Sequence, residues 1–302
     1  MQVAVAGGTG FIGKAVVNAL LARNDEVWII SRTGRAQGSP TAKGLHYATW
    51  SELAEHPSKL EGIHAIINLA GESIGQRWTS GAKKRVLDSR LQAAGRIARL
   101  AASLRSKPEV VINASGISAY GSSYTQTFDE WSPMAVTDFL SDVVKQWEAA
   151  ANAIEAERLV KLRVGLVMDA KGGAFPMMAL PHKLFGGGPL GGGKQWLSWI
   201  HLEDMVRLIL FCLDNREVRG PVNGSAPEPV TNDQFGRALG RAYGRPHWFP
   251  VPAFLLKTVL GEMSSLLLDG QRAVPRKSLE LGFQFRYNDI DSALQQLAGK
   301  RK

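Results

Sequence analysis

The sequence predicts an α/β protein: a doubly wound parallel sheet with a smaller C-terminal substrate domain. Two observations carry this. Short apolar runs alternate with helical stretches from Val3 to Met168. The first apolar run also leads directly into Gly7-Gly8-Thr9-Gly10-Phe11-Ile12-Gly13, with glycines spaced G-x-x-G-x-x-G between a strand and a helix.

Val3 to Ala6 reads as a buried strand, and the helix after the glycines runs from about Phe11 to Arg23. Gly7 turns the chain sharply out of the strand. Gly10 lacks a Cβ, so backbone can approach a pyrophosphate, and Gly13 lets the helix pack closely on the sheet. Free N–H groups and the positive end of the helix dipole then face the anion. Gly7, Thr9, Gly10, Phe11, Ile12 and Gly13 are therefore assigned to a dinucleotide; the bland alternative is a plain tight turn.

Glu26 to Ser31 is the second strand. An NAD-preferring site places a carboxylate near its end, about twenty residues past the glycines, for the ribose 2′-OH. Here stand Ser31 and Arg32, with Arg35 following. A guanidinium binds a 2′-phosphate that a carboxylate would repel, so the expected cofactor is NADP(H). Gly34 to Lys43 is a polar loop. Leu45 to Thr49 is a third strand ending at Trp50, whose indole either lies against the adenine or packs elsewhere. Ile63 to Ala70 is the fourth strand; Asn68-Leu69-Ala70-Gly71 at its end would bring backbone next to the cofactor ribose, and Glu72 is assigned to the cofactor with Leu69, Ala70 and Gly71.

Ser80 to Ser106 reads as a long helix, with Val86, Leu87, Leu91, Ala94 and Ile97 on one face. Val110 to Ser115 is the fifth strand, Asp138 to Ala156 a helix, and Leu159 to Met168 the sixth strand. Lys171 to Lys194 is glycine-dense and reads as either a substrate lid or an irregular connection. Trp196 to Ile200 is a strand, His201 to Asn215 a helix, and Gly220 to Asn223 a further strand. Thr231 opens a helix with a capping box closed by Gln234. Beyond it, short helices are broken by Pro250, Pro252 and Pro275. Residues 1–170 and about 196–225 form the nucleotide domain in this reading. Residues 171–195 and 226–302 form the smaller one.

The chain has 302 residues, 45% of them hydrophobic, which suffices for a substantial core. Its single cysteine, Cys212, excludes an internal disulfide and reads as a buried thiol. No apolar run approaches a membrane span, and the first strand leaves no room for a signal peptide, so a cytoplasmic location is expected. The net charge of +9 points to an anionic partner. The basic residues are dispersed without an aromatic-interleaved stripe, which argues against nucleic acid. A small-molecule substrate is expected, with no membrane partner and no metal site; oligomerisation is left open.

Several blocks resemble the extended short-chain dehydrogenase/reductases, the group that holds nucleotide-sugar epimerases and dehydratases. They are the glycine stretch, Asn68-Leu69-Ala70-Gly71, Tyr120-Gly121 and Trp199-Ile200-His201-Leu202-Glu203-Asp204. More narrowly, Arg77-Trp78, Ser89-Arg90, Trp147-Glu148, Gly187-Gly188-Pro189 and Gly270-Gln271-Arg272 resemble an atypical "epimerase family protein" subgroup. Its short C-terminal domain of unknown function would match residues 248–298. The resemblance implies a Rossmann domain, a 2′-phosphate site at Ser31 and Arg32, and ribose-side contacts at Leu69 and Ala70. It also places Arg90 where extended members carry a cofactor-facing asparagine, and implies that strand six, from Arg163 to Val167, borders the nicotinamide.

Hydride-transferring members use a Tyr-x-x-x-Lys pair with a nearby Ser or Thr. Aligned on Glu148, this chain has Leu140 and Val144 in those places; aligned on Lys145, it has Ser141 for the tyrosine. The residues that could substitute are Ser115, Lys145 and Tyr120, followed by Glu72, Arg77, Ser118 and His201. The leading expectation is an NADP(H)-dependent oxidoreductase or epimerase-like enzyme with a non-standard acid/base group. The rival is a non-catalytic NADP(H)-binding sensor or interaction protein.

Overall fold

The computed structural model describes residues 1–34 and 42–299; Arg35 and most of the loop read over Gly34 to Lys43 lie outside the described residues. The large sheet has strands β1 (Gln2–Ala6), β2 (Glu26–Ser31), β3 (Leu45–Thr49), β4 (Ala65–Asn68), β5 (Val110–Gly116), β6 (Arg158–Val164) and β7 (Gly220–Gly224). All pair in parallel, in the order β3-β2-β1-β4-β5-β6-β7. Strand order reverses between β1 and β4. Ligands of such sheets bind beyond the carboxyl ends of the strands at that point.

Helices cover both faces, and the central strands β1, β4 and β5 bury both of theirs. In β1, Val3 and Val5 join one core and Ala4 and Ala6 the other, as the two-residue pleat requires. The first core is closed by α1 (Phe11–Ala22) and α6 (Leu202–Asp214), through Val16, Leu20, Leu208 and Ile209. The second is closed by α3 (Ser80–Ser103), through Ile97, Leu100 and Ala101, and by the end of α4 (Phe139–Ala151). Cys212 is buried in the first core, and burial pushes its thiol up to about 12.

A smaller layer of helices and short strands completes the fold. Helices α5 (Phe175–Lys183), α7 (Asn232–Tyr243) and α11 (Ile290–Leu297) enclose Trp199, Phe235 and Leu294. The capping box read at Thr231 is present. Helices α8 (Ala253–Leu260), α9 (Ser265–Leu268) and α10 (Arg276–Glu280) lie between α7 and α11 in sequence.

Three expectations are corrected here. The sixth strand is two strands. At Gly165 the chain leaves β7 and continues as Leu166–Asp169 beside Trp199–His201. The hydrogen bonds change partner within one residue: the Gly165 amide donates to Gly224 O at 3.0 Å and the Leu166 amide to Ser198 O at 2.8 Å. A Cβ on Gly165 would overlap the Ser198 carbonyl, so the crossing needs glycine. The strand read over Trp196 to Ile200 likewise divides at Ser198, whose hydroxyl donates to Gln271 O at 2.7 Å and accepts from the Ala273 amide at 2.8 Å. Third, the glycine-dense stretch holds α5, with Phe175 and Ala179 buried one turn apart.

Candidate nucleotide site and adjoining cavity

The glycine turn is built as a cradle. Gly7 has φ +78°, and a Cβ there would stand 2.8 Å from the Leu69 carbonyl carbon, so the turn lies against the chain leaving β4. A Cβ on Gly13 would overlap the Gly7 carbonyl oxygen and stand 2.8 Å from Gly8 Cα. Gly10 precedes α1 in extended conformation and no side chain caps the helix, leaving its N-terminal N–H groups for a ligand. Thr9 and Gly10 are exposed; Phe11 and Ile12 are half-buried.

At the end of β2, the Ser31 hydroxyl donates to Gly34 O at 3.2 Å and Arg32 is exposed. Trp50 begins α2 (Trp50–Glu55), packs on the second core, and has the Arg96 guanidinium 5.6 Å from its ring. The strand ends of β4 and β5 are joined by Asn68 Nδ2 donating to Asn113 Oδ1 at 2.7 Å, both residues fully buried. Asn68 Oδ1 accepts from the Ala70 amide at 3.3 Å and so shapes the turn through Leu69, Ala70 and Gly71.

Arg90 fixes the next stretch. Its Nη1 donates to Glu72 O at 3.0 Å and to Val86 O at 2.9 Å, and its guanidinium lies 5.1 Å from the Trp147 ring. Burial brings its pKa down to about 10. The Glu72 amide donates to Ser89 Oγ at 2.9 Å, so this loop is strapped to α3. Val167 is buried on the strand beyond Gly165.

Of the three leading catalytic candidates, Ser115 and Tyr120 both stand at the buried Arg163–Glu148 pair, whereas Lys145 is apart from them. Ser115 is 3% exposed and its hydroxyl donates to Glu148 Oε1 at 2.7 Å. Glu148 also accepts from Arg163 Nε at 2.8 Å and Nη2 at 3.1 Å. Tyr120 is 1% exposed; its hydroxyl donates to Asn223 Oδ1 at 2.7 Å, and burial pushes its pKa up to about 12. Lys145 is exposed on α4, while Ser141 is buried in the cap of that helix. His201 caps α6, with Nδ1 accepting from the Glu203 amide at 3.1 Å. Arg77 is exposed and Ser118 half-buried.

A cavity of about 800 Å³ opens between the start of α3 and α4 on one side and α8 and α9 on the other. Its aromatic wall is Trp78 edge-on to Phe139, with ring centres 5.2 Å apart. Lys83, Lys194 and Lys257 line it, together with Asp138, Glu262 and Asp269. Lys83 pairs with Glu262. Burial and the charge of Asp138 raise the Asp269 carboxyl, against the pull of Lys257. Among the described residues, no cluster of His, Cys, Asp and Glu could hold a metal, and no helix is long and apolar enough to cross a membrane.

Comparison with known proteins accounts for this arrangement. A family model described as the NAD dependent epimerase/dehydratase family matches residues 3–138, and a domain of unknown function, DUF1731, matches residues 251–297. Epimerase family protein YfhF of Bacillus subtilis (strain 168) is 43% identical, covering 100% of this chain and 99% of its own. The chain belongs to the epimerase family. Epimerase family protein SDR39U1 of Mus musculus is 40% identical over 98% of this chain and 99% of its own. The crystal structure of human epimerase family protein SDR39U1 (isoform 2) with NADPH superposes with a TM-score of 0.90 at 37% identity, covering 100% of both chains.

Within this epimerase-family fold, sequence reasoning reached the cradle but missed the cavity. In the sequence Asp138 is legible only as a helix start, and Asp269 lies just before the Gly270-Gln271-Arg272 block. Both line the cavity although they lie far apart in the chain, and no local pattern signals that pairing.

Proposed function

We propose that this epimerase-family chain is an NADP(H)-dependent oxidoreductase or epimerase-like enzyme. In this reading it transfers hydride at a carbonyl or alcohol carbon held in the cavity, without a Tyr-x-x-x-Lys pair. The observation that carries the reading is the uncapped start of α1 behind Gly7 and Gly13, with Arg32 exposed at the end of β2 where an NAD site would place a carboxylate. The NADPH of the human relative supports the same choice. Gly7 to Gly13 would hold the pyrophosphate, Ser31 and Arg32 the 2′-phosphate, Leu69, Ala70 and Gly71 the ribose side, and Val167 the nicotinamide side. Once bound, NADP(H) supplies the hydride donor or acceptor.

The protein must move the accompanying proton. Ser115 and Tyr120 have their hydroxyls committed inside the fold, so we assign the role to Asp269, whose pKa is raised by burial and then by the charge of Asp138. Asp138 stands two residues before Leu140 and three before Ser141, the two alternative places of the family's tyrosine. In reduction, the Asp269 proton goes to the substrate oxygen; in oxidation, its carboxylate takes that proton back. Lys194 and Lys257 would orient an anionic part of the substrate.

A panel of aldehydes and ketones offered to the protein with NADPH tests this reading. Oxidation of NADPH by some member, lost in Asp269→Asn while NADPH binding persists, is the expected result. The buried Ser115 and Tyr120 hydroxyls also favour a second reading, the non-catalytic sensor. Absence of any turnover, with cofactor occupancy changing affinity for a protein partner, would establish that one instead.

A further inference from the structure

One face of the molecule is apolar and basic, and apart from Lys257 at its edge the proposed chemistry makes no use of it. Met177, Leu184 and Phe185, on and just after α5, are 73%, 69% and 53% exposed, and Trp248, Phe249 and Phe254 are 70%, 64% and 65% exposed. These side chains form one surface. The Trp248 indole donates to Phe185 O at 3.0 Å, and the amides of Trp248 and Phe249 donate to Gly187 O at 2.9 and 3.0 Å. α8 follows directly. Its sequence, AFLLKTVL, is apolar except for Lys257 and Thr258, yet it buries none of its residues. Soluble monomers rarely leave so broad an apolar surface without a partner.

Charge identifies the partner. The two stretches that build this face, residues 170–202 and 234–261, contain no aspartate or glutamate. Lys183, Arg245 and Lys257 stand exposed among the apolar groups. Arg245 lies 4.1 Å from the Phe185 ring centre, which keeps a cation at the centre of the apolar surface. A second copy docked through the same face would bring these cations against their own kind. An anionic surface would neutralise them. Aromatic and aliphatic side chains interspersed with lysine and arginine match the interface of an acidic bilayer, where apolar groups enter the headgroup layer and cations meet lipid phosphates.

We infer that this face docks the protein on the surface of an anionic lipid bilayer. Such contact requires no membrane-crossing helix. It orients the molecule with α8 toward the lipid, and because Ala253 and Lys257 of α8 also line the cavity, the docked face adjoins the cavity wall.

The test is sedimentation of the full-length protein with vesicles of phosphatidylcholine alone, or of equal parts phosphatidylcholine and phosphatidylglycerol. The protein is expected to sediment with the anionic vesicles, to stay in solution with phosphatidylcholine, and to be released as salt rises. The double variant Phe254→Ser, Leu255→Ser should lower affinity on the order of tenfold. Lys183→Glu should weaken binding at low salt, with the difference from wild type closing at high salt. Unchanged melting temperature shows that the variants fold. Equal binding to both vesicle types, or none to either, overturns the inference. So does a wild-type dimer that Phe254→Ser converts to monomer with no vesicle binding, which would assign the face to a second copy.

Discussion

Arg163 and Glu148 form a buried two-point ion pair, Nε to Oε1 at 2.8 Å and Nη2 to Oε2 at 3.1 Å, with both side chains about 5% exposed or less. Burial alone would lower the guanidinium, but hydrogen bonds and charge from Glu148, with Tyr120 beside it, hold its pKa above the ordinary value. The Tyr120 ring centre lies 4.9 Å from that guanidinium, and Ser115 uses the same carboxylate. Glu148→Ala strands a charge and a hydroxyl together and should cost about 3–5 kcal/mol of stability. Ser115→Ala should cost about 1–3 kcal/mol. Denaturant melts measure both. In the reading proposed here, Ser115→Ala keeps its turnover; loss of turnover with stability unchanged would make Ser115 catalytic.

Gly13 sets how closely α1 approaches β1. The Cβ of Gly13→Ala has nowhere to go, since both obstructing groups, the Gly7 carbonyl and Gly8 Cα, are backbone. The helix must move outward, at about 1–3 kcal/mol, and its N-terminus moves with it. A lower melting temperature together with weaker NADPH binding is expected by calorimetry. Full-strength binding would show that the helix start is not part of the nucleotide site.

The parts legible in the sequence are those whose cause is local. The run from Val3 to Gly13 carries its strand, turn and helix in adjacent residues, and Thr231 closes a box with Gln234, three positions on. Gly165 was not legible as a break, because Leu159 to Met168 keeps one apolar pattern throughout; the change lies in the partner strand. α5 was hidden by the glycines on either side of it. Glu148 was visible as a family landmark, yet its partner Arg163 stands on a different element, and only the fold joins them.

Arg32 tests the choice of cofactor. It follows β2 directly, is exposed, and has no neighbouring carboxylate in Ser31 or Thr33. A hydrogen bond to a charged group contributes about 1.5–3 kcal/mol, so Arg32→Ala should weaken NADPH binding roughly tenfold or more and leave NADH binding unchanged. Fluorescence titration with both nucleotides measures the split. Equal losses for the two would remove the 2′-phosphate from this residue.

His201 gives the fold a defined response to acid. Its Nδ1 must lack a proton to accept from the Glu203 amide, so Nε2 carries the proton toward Gln296 Oε1 at 3.0 Å. Burial lowers its pKa, against the Gln296 hydrogen bond and the charges of Asp204, Glu203 and Asp169. The folded value therefore lies below the ordinary 6.5. Above 6.5 both folded and unfolded imidazoles are neutral and the cap contributes in full. As pH falls from there toward the folded value, the unfolded state takes up the proton first and stability declines. His182, lowered by burial and by His247, adds a slope of the same sign. His201→Asn keeps a good helix cap without a titrating group. Melting temperatures of wild type and His201→Asn, compared across mildly acidic pH, should diverge as the pH falls, with the wild type losing more. Parallel curves would mean that this imidazole does not couple folding to pH.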